Sequence, residues 1–167
     1  MSHPNTEDYL IDDEDPLESV EHVLASEQRA YERAEDEVHF AASTDWCDLH
    51  GVFEWRSEAP ALTLSLAFDL RTQASRRMEV SRLLVLLNAS LWLGHFDLDP
   101  EDGSILWRAT VPVIDRPAPT TSEAAAILAA GLEACTRFYP AFNFLVWAGK
   151  SPEEAAAAVL FETVGEA

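Results

Sequence analysis

Apolar residues between positions 78 and 113 repeat first at helical spacing and then at every second position. Over residues 80–92 they recur every three or four residues, which predicts a helix that is buried on most sides and ends at Gly94. Residues 95–98 and 105–113 alternate instead, and the segment between them is rich in Asp, Pro and Gly. This pattern predicts a central helix followed by a β-hairpin.

The segment before this unit predicts an amphipathic helix over residues 15–35. Asp15 is expected to cap it and Pro16 to occupy its first position. Its apolar stripe consists of Leu17, Val20, Val23, Leu24, Tyr31 and Ala34. We expect this helix to act as a lid rather than as a core element, and we expect residues 1–14 to form a flexible acidic leader.

Strict alternation of apolar and polar residues dominates positions 37–71. Short breaks at 43–45 and 57–60 divide this stretch into three segments. Their apolar positions are Val38, Phe40 and Ala42, then Leu49, Gly51 and Phe53, then Leu62, Leu64, Leu66 and Phe68. Three strands with such short connections predict an antiparallel meander that is apolar on one face.

Two helices are predicted in the last third of the chain. A capping box at residues 120–123 opens an alanine-rich helix, which we expect to continue to Phe138 and to kink at Pro140. A second capping box at residues 151–154 opens the last helix. Without an internal repeat or linker, residues 15–167 are expected to form one α+β domain. A five-stranded antiparallel sheet is covered by helices, in the order α, βββ, α, ββ, α, α.

Composition narrows the classes of partner. The formal net charge is −19, and residues 1–37 carry 13 acidic residues against Arg29 and Arg33. Nucleic acid and anionic membranes attract basic proteins, so both are disfavoured as partners. No apolar run approaches the roughly 20 residues that cross a bilayer, and the start has no secretory signal, which predicts a cytoplasmic protein. Cys47 and Cys135 are expected to be reduced and buried.

The central helix and hairpin carry a family resemblance. Leu87-Asn88, the stretch Gly94-His95-Phe96-Asp97-Leu98-Asp99, Asp102-Gly103 and Leu106-Trp107-Arg108 resemble the YbjN family of bacterial proteins over about residues 17–147. The resemblance implies a non-enzymatic sensory transduction regulator and supplies no catalytic residue. The order of elements is also similar to that of type III secretion chaperones, which hold peptides and are usually homodimers, so a homodimer is implied.

Residue chemistry points away from catalysis and metal binding. In the acidic hairpin turn, an EF-hand loop begun at Asp97 would place Asp102 where Gly is needed and Arg108 where Glu is needed. Cys47 and His50 lack a second ligand pair, and no nucleophile elbow occurs. We therefore expect no metal, no cofactor and no enzymatic activity.

Four arginines form the one basic cluster of the chain: Arg71, Arg76, Arg77 and Arg82. They are expected to pair with the acidic first helix of the same chain or of a dimer mate. The alternative is that they dock an acidic partner peptide.

Two tryptophans near strand ends, Trp55 and Trp107, lie beside Arg56 and Arg108. Trp and Arg are enriched at binding hot spots, although a half-exposed Trp is more often a sheet-face residue. Trp92 belongs to the apolar stripe of the central helix and is expected in the core. The candidate partner-binding residues are therefore Arg71, Arg76, Arg77, Arg82, Trp55, Trp107 and Arg108.

The sequence thus predicts a protein that works by binding another protein or peptide. An extended or amphipathic partner segment would lie on the sheet face or along an uncovered strand. A small-molecule-binding sensor or enzyme, with a pocket between the sheet and the central helix, is the alternative. A third possibility is a stable dimer whose interface uses the apolar face.

Overall fold

The computed structural model describes residues 14–161, which form four α-helices and six β-strands. The helices are α1 (Glu18–Ser26), α2 (Arg77–Asn88), α3 (Thr121–Val146) and α4 (Pro152–Leu160). The strands are β1 (Tyr31–Ala34), β2 (Glu37–Ser43), β3 (Asp48–Arg56), β4 (Ala61–Arg71), β5 (His95–Leu98) and β6 (Ser104–Pro112). A single 3₁₀ turn, Ala74–Arg76, leads into α2. The predicted leader lies outside the described residues except for Glu14.

All six strands pair in one antiparallel sheet, in the order β1-β2-β3-β4-β6-β5. The predicted α+β class is confirmed, but the prediction of five strands is wrong. The meander and the hairpin occur where the alternation placed them. The additional strand is β1, which pairs with β2 at one edge of the sheet, while β5 forms the other edge.

The helix predicted over residues 15–35 stops early, and its second half contains β1. After Ser26 the chain turns through Gln28, which has a left-handed φ of 57°. The amide of Arg29 then bonds to the carbonyl of Leu24 at 2.9 Å and closes the helix end. Glycine is the usual residue at this left-handed position. Because a glutamine stands there, the sequence does not indicate that the helix ends.

The start of α1 also differs from the prediction. The helix begins at Glu18, and Asp15 accepts a hydrogen bond from the amide of Leu17 at 3.0 Å in the turn before it. Leu17, Val20 and Leu24 are completely buried and belong to the main core. The first helix is therefore a core element, and its description as a lid is wrong.

The helices cover one face of the sheet. Leu62, Leu64 and Leu66 of the central strand β4 are completely buried on that face, where α3 contacts β4 and β6. Within residues 14–161, no helix lies against the opposite face, which carries half-buried and exposed residues along β2, β3 and β6. The protein is thus a two-layer domain with one open sheet face.

Trp107 and an aromatic cluster fill the centre of the core. A Cβ added to Gly94 would lie 2.4 Å from the Trp107 ring, and one added to Gly131 would lie 2.7 Å from it. The indole is therefore packed closely between the loop after α2 and the middle of α3. Phe68, Phe96, Phe138, Tyr139 and Phe142 form the adjoining aromatic cluster.

The last two helices begin as predicted. Thr120 and Glu123 form a reciprocal capping box at α3, and Ser151 and Glu154 form one at α4. The α3 helix continues past Phe138 and through Pro140, and it ends at Val146. Within residues 14–161, no helix combines the length and hydrophobicity needed to span a bilayer.

Candidate partner-binding surfaces

Two arginines of the basic cluster hold loops and helix ends of their own chain. Arg76 donates to the carbonyl of Leu145 at the end of α3 at 2.6 Å, and its Nε lies 2.6 Å from a carboxylate oxygen of Glu79. Arg77 donates to the carbonyl of Pro100 in the hairpin turn at 2.6 Å. A positive side chain beside helix-end carbonyls is stabilising, so the role of Arg76 is at least partly structural.

The other two arginines of the cluster also find acids outside the first helix. Arg82 pairs with Glu153 of α4, and Arg71 lies 4.0 Å from Asp102 while its side chain is 76% exposed. Within the chain, the expected pairing of this cluster with the first helix is therefore wrong. Arg33 of β1, which is not part of this cluster, pairs with Glu21 of α1.

The tryptophans are distributed differently from the prediction. Trp107 is completely buried, so its proposed role as a surface anchor is wrong. Trp55 is half-buried and packs against the core from the helix-covered face. Trp92, expected in the core, is 80% exposed because α2 ends at Asn88 and the helical period no longer applies in the following loop.

The residues that carry the family resemblance have a structural role that the sequence did not reveal. Asn88, the last residue of α2, donates to the carbonyl of Phe96 at 3.0 Å and accepts from its amide at 2.7 Å. Phe96 lies on the edge strand β5, and its amide and carbonyl point away from β6. The side chain of Asn88 thus supplies the hydrogen bonds that a further strand would make. We refer to this pair of bonds as the Asn88 clamp.

A groove runs between α2 and β5 along the clamp, with a volume of about 560 Å³. Its lining residues are Arg77, Ser81, Leu84, Val85, Asn88, His95, Phe96, Asp97, Leu98 and Pro100. Val85 projects from α2 and is 71% exposed, although the sequence predicted a central helix that is buried on most sides. The groove therefore combines an exposed apolar side chain on α2 with polar groups along β5.

The open face of the sheet is mainly polar. One row across it contains His39, Val52, Ser65, Arg108 and His95, in the order β2-β3-β4-β6-β5. The predicted binding residue Arg108 lies in this row, with its side chain 44% exposed. It therefore stays accessible to a partner that covers the sheet face.

A smaller cavity of about 190 Å³ lies between the 3₁₀ turn and the end of α3. Arg71, Thr72, Arg76 and Trp147 are among its lining residues. The Thr72 side chain is buried, and its hydroxyl has no hydrogen-bond partner among the described residues. Trp147 stands at this cavity with 76% of its surface exposed. The structure therefore brings together two of the candidate arginines and one exposed Trp.

The acidic residues of the hairpin turn bond to nearby backbone amides, and the two cysteine thiols are partly or fully buried. In the hairpin turn, Asp99 accepts from the amide of Glu101 at 2.7 Å and Asp102 accepts from the amide of Ser104 at 2.8 Å, as solvated turn residues do. Burial raises the pKa of Cys47 and Cys135, so both thiols are protonated at neutral pH. Within residues 14–161, no three His, Cys, Asp or Glu side chains are placed to hold a metal ion.

The geometry defines an α+β protein with a one-sided antiparallel sheet and a clamped edge strand. Residues 16–144 match the family model of YbjN, described as "Putative bacterial sensory transduction regulator". The chain therefore belongs to the YbjN family. It is similar to the crystal structure of YbjN, a "putative transcription regulator" from E. coli, with 11% identity and a TM-score of 0.53. The similarity covers 72% of this chain and 85% of the E. coli chain, and it shows the fold alone. No curated protein sequence matches the chain.

Proposed function

We propose that this member of the YbjN family is a non-enzymatic regulator that binds another protein in the groove between α2 and β5. The observation that carries the proposal is that a solvent-exposed apolar side chain, Val85, lies beside a concave surface at the edge of the sheet. Exposed apolar groups in a concave setting are typical of surfaces that bury a partner.

The Asn88 clamp indicates how the partner is held. A strand added directly to β5 would need the amide and carbonyl of Phe96, and both are already bonded to Asn88. Recognition in the groove therefore relies on side chains. An apolar side chain of an extended or helical partner segment would lie against Leu84, Val85 and Leu98, and His95 and Asp97 would contact its polar neighbours.

A small-molecule-binding sensor or enzyme is the second candidate function. The volume of the groove, about 560 Å³, falls within the range of roughly 300–1,000 Å³ that is common for ligand sites. Its position differs from the pocket that the sequence suggested, because Val80, Leu83 and Leu87 of α2 are completely buried against the core. Such a ligand would bind at the edge of the sheet rather than beneath α2.

The experiment is an affinity purification of the tagged protein from its own cells, followed by mass spectrometry. Val85→Glu places a charge in the groove at an exposed position, and Met78→Glu is its matched control, because Met78 is 87% exposed on the same helix and does not line the groove. We expect one stoichiometric partner that wild type and Met78→Glu retain and Val85→Glu loses. Recovery of the bait alone, together with thermal stabilisation by a small ligand, would favour the second candidate.

We place this activity in the cytoplasm and in a homodimer. The described chain has no helix that could span a membrane, which is compatible with a cytoplasmic location. The open sheet face offers a surface for a dimer interface. Light scattering at micromolar concentration tests the dimer: a mass near twice 18.5 kDa is expected, and a mass of 18.5 kDa at all concentrations would contradict it.

A further inference from the structure

We propose that β1 is a displaceable edge strand that covers a second binding edge on β2. This edge would take an extended segment of another protein with a basic residue in the place of Arg33. It lies at the opposite side of the sheet from the groove, so the inference stands independently of the proposed function.

The strand β1 and its flanking turns are built from residues that favour a helix. Residues 27–36 read EQRAYERAED, and Ala, Arg, Gln and Glu are good helix formers, whereas Glu and Ala are depleted in strands. All four residues of β1 are exposed. The strand is therefore a short edge element whose local preference opposes its conformation.

Backbone strain is present on both sides of β1. Gln28 and Glu35 adopt left-handed φ angles of 57° and 44°, which residues other than glycine rarely adopt. Conversion of this segment to an extension of α1 would relieve both positions. The strand conformation is therefore held by contacts rather than by its own preference.

In addition to its backbone pairing with β2, β1 is held by the side chain of Arg33. Arg33 donates to Asp15 at 3.0 and 3.1 Å and to Glu21 of α1 at 3.1 Å. Its Nε also donates to the carbonyl of Glu35 at 2.8 Å. The bonds to Asp15 and Glu21 form an ionic latch between the edge strand and the first turns around the start of α1. When β1 leaves, the two carboxylates lose their cation, which creates the requirement for a basic residue in the incoming segment.

Hydrogen-bond direction shows what the displacement of β1 would uncover. The amide of Trp55 bonds to the carbonyl of Asp36 at 2.8 Å, so Asp36, Val38 and Phe40 direct their backbone groups toward β3. The alternate residue His39, which lies opposite Glu32, therefore directs its amide and carbonyl toward β1. These groups would become free for a partner strand.

Among the described residues, part of this edge has no strand paired with it. β2 continues to Ser43, but its pairing with β1 ends at Phe40. Ala41 shares the backbone direction of His39 and is exposed, with no β1 residue opposite it. An incoming segment can pair at this end first and then replace β1 residue by residue, which is a low-barrier route to strand exchange.

The test uses the full chain and a fluorescein-labelled peptide of residues 29–36, RAYERAED, as the probe. Glu32→Pro removes an amide that faces β2 and should open the edge, and Glu32→Ala keeps that amide as the matched control. Arg33→Glu breaks the latch without a proline and serves if Glu32→Pro does not fold. The double variant Gln28→Gly, Glu35→Gly relieves the strain and should keep β1 in place.

We expect both opened variants to bind the peptide at least tenfold more tightly than wild type, Glu32→Ala or the double glycine variant. A peptide with Glu in the place of Arg33 should not bind. Exchange of the His39 amide should be faster in the opened variants and slower in the glycine variant. Equal peptide affinity in all proteins, or no binding to either opened variant, would overturn the proposal. If the opened variants dimerise and the peptide suppresses this dimerisation, the edge binds a second copy of the chain. That result would overturn the assignment to a different protein.

Discussion

Replacement of Asn88 by alanine tests whether the family motif is structural. The substitution removes two hydrogen bonds, of 2.7 and 3.0 Å, and leaves the amide and carbonyl of Phe96 without partners at the edge of the sheet. Each hydrogen bond makes a net contribution of about 1 kcal/mol, and leaving a partly buried polar group without a partner costs somewhat more. The free energy of unfolding is therefore expected to fall by about 2–3 kcal/mol. For a domain of this size, that loss corresponds to a decrease in Tm of roughly 4–12 °C.

Urea denaturation followed by circular dichroism measures this loss. The midpoint should fall with an unchanged slope, because the surface exposed on unfolding stays the same. Asn88→Asp keeps the acceptor for the Phe96 amide but places a carboxylate beside the Phe96 carbonyl, so it should not restore stability. Val85→Ala, at an exposed position on the same helix, should change stability by less than about 0.5 kcal/mol. A loss below about 0.5 kcal/mol for Asn88→Ala would refute the clamp.

Three further changes follow from the same structure. Gly94→Ala should lower Tm in a thermal melt, because Gly94 has a φ of +71° and its new Cβ would lie 2.4 Å from the Trp107 ring; an unchanged Tm would contradict this packing. The hydrogen bond from Arg116 lowers the pKa of Glu123 to about 2 from 4.5. The stability that the ionised Glu123 contributes is therefore complete above pH 4.5 and is lost as the pH falls toward 2. In an acid titration, the free energy of unfolding should fall less in Glu123→Gln than in wild type. Arg76→Ala should speed amide exchange at the end of α3, where its bond to Leu145 is lost; unchanged exchange there would show that the bond is dispensable.

Most of the fold could be predicted because the strands β2 to β6 carry a clean alternation and the helices α3 and α4 open with capping boxes. The helix-to-strand change after Ser26 could not, because residues 27–36 are helix formers and the turn uses Gln28 in place of a glycine. Local propensity was overridden there by the pairing of β1 with β2 and by the bonds of Arg33.

The candidate site was predictable only in part. The basic cluster was evident from the sequence, but the backbone carbonyls of Leu145 and Pro100 that bind Arg76 and Arg77 come from distant segments. Trp107 was predicted to be a binding residue because Arg108 follows it in the sequence. The two glycines that enclose it lie 13 and 24 residues away. Pairings that depend on tertiary structure leave no periodic signal, which is why these roles required the structure.

Site-specific photocrosslinking in living cells tests whether the groove between α2 and β5 binds a protein partner. A photoreactive phenylalanine analogue placed at Val85 should yield one discrete adduct of higher mass. The same analogue at Met78, which is exposed on α2 outside the groove, should not yield it. The absence of an adduct at position 85, or the same adduct from both positions, would contradict the claim.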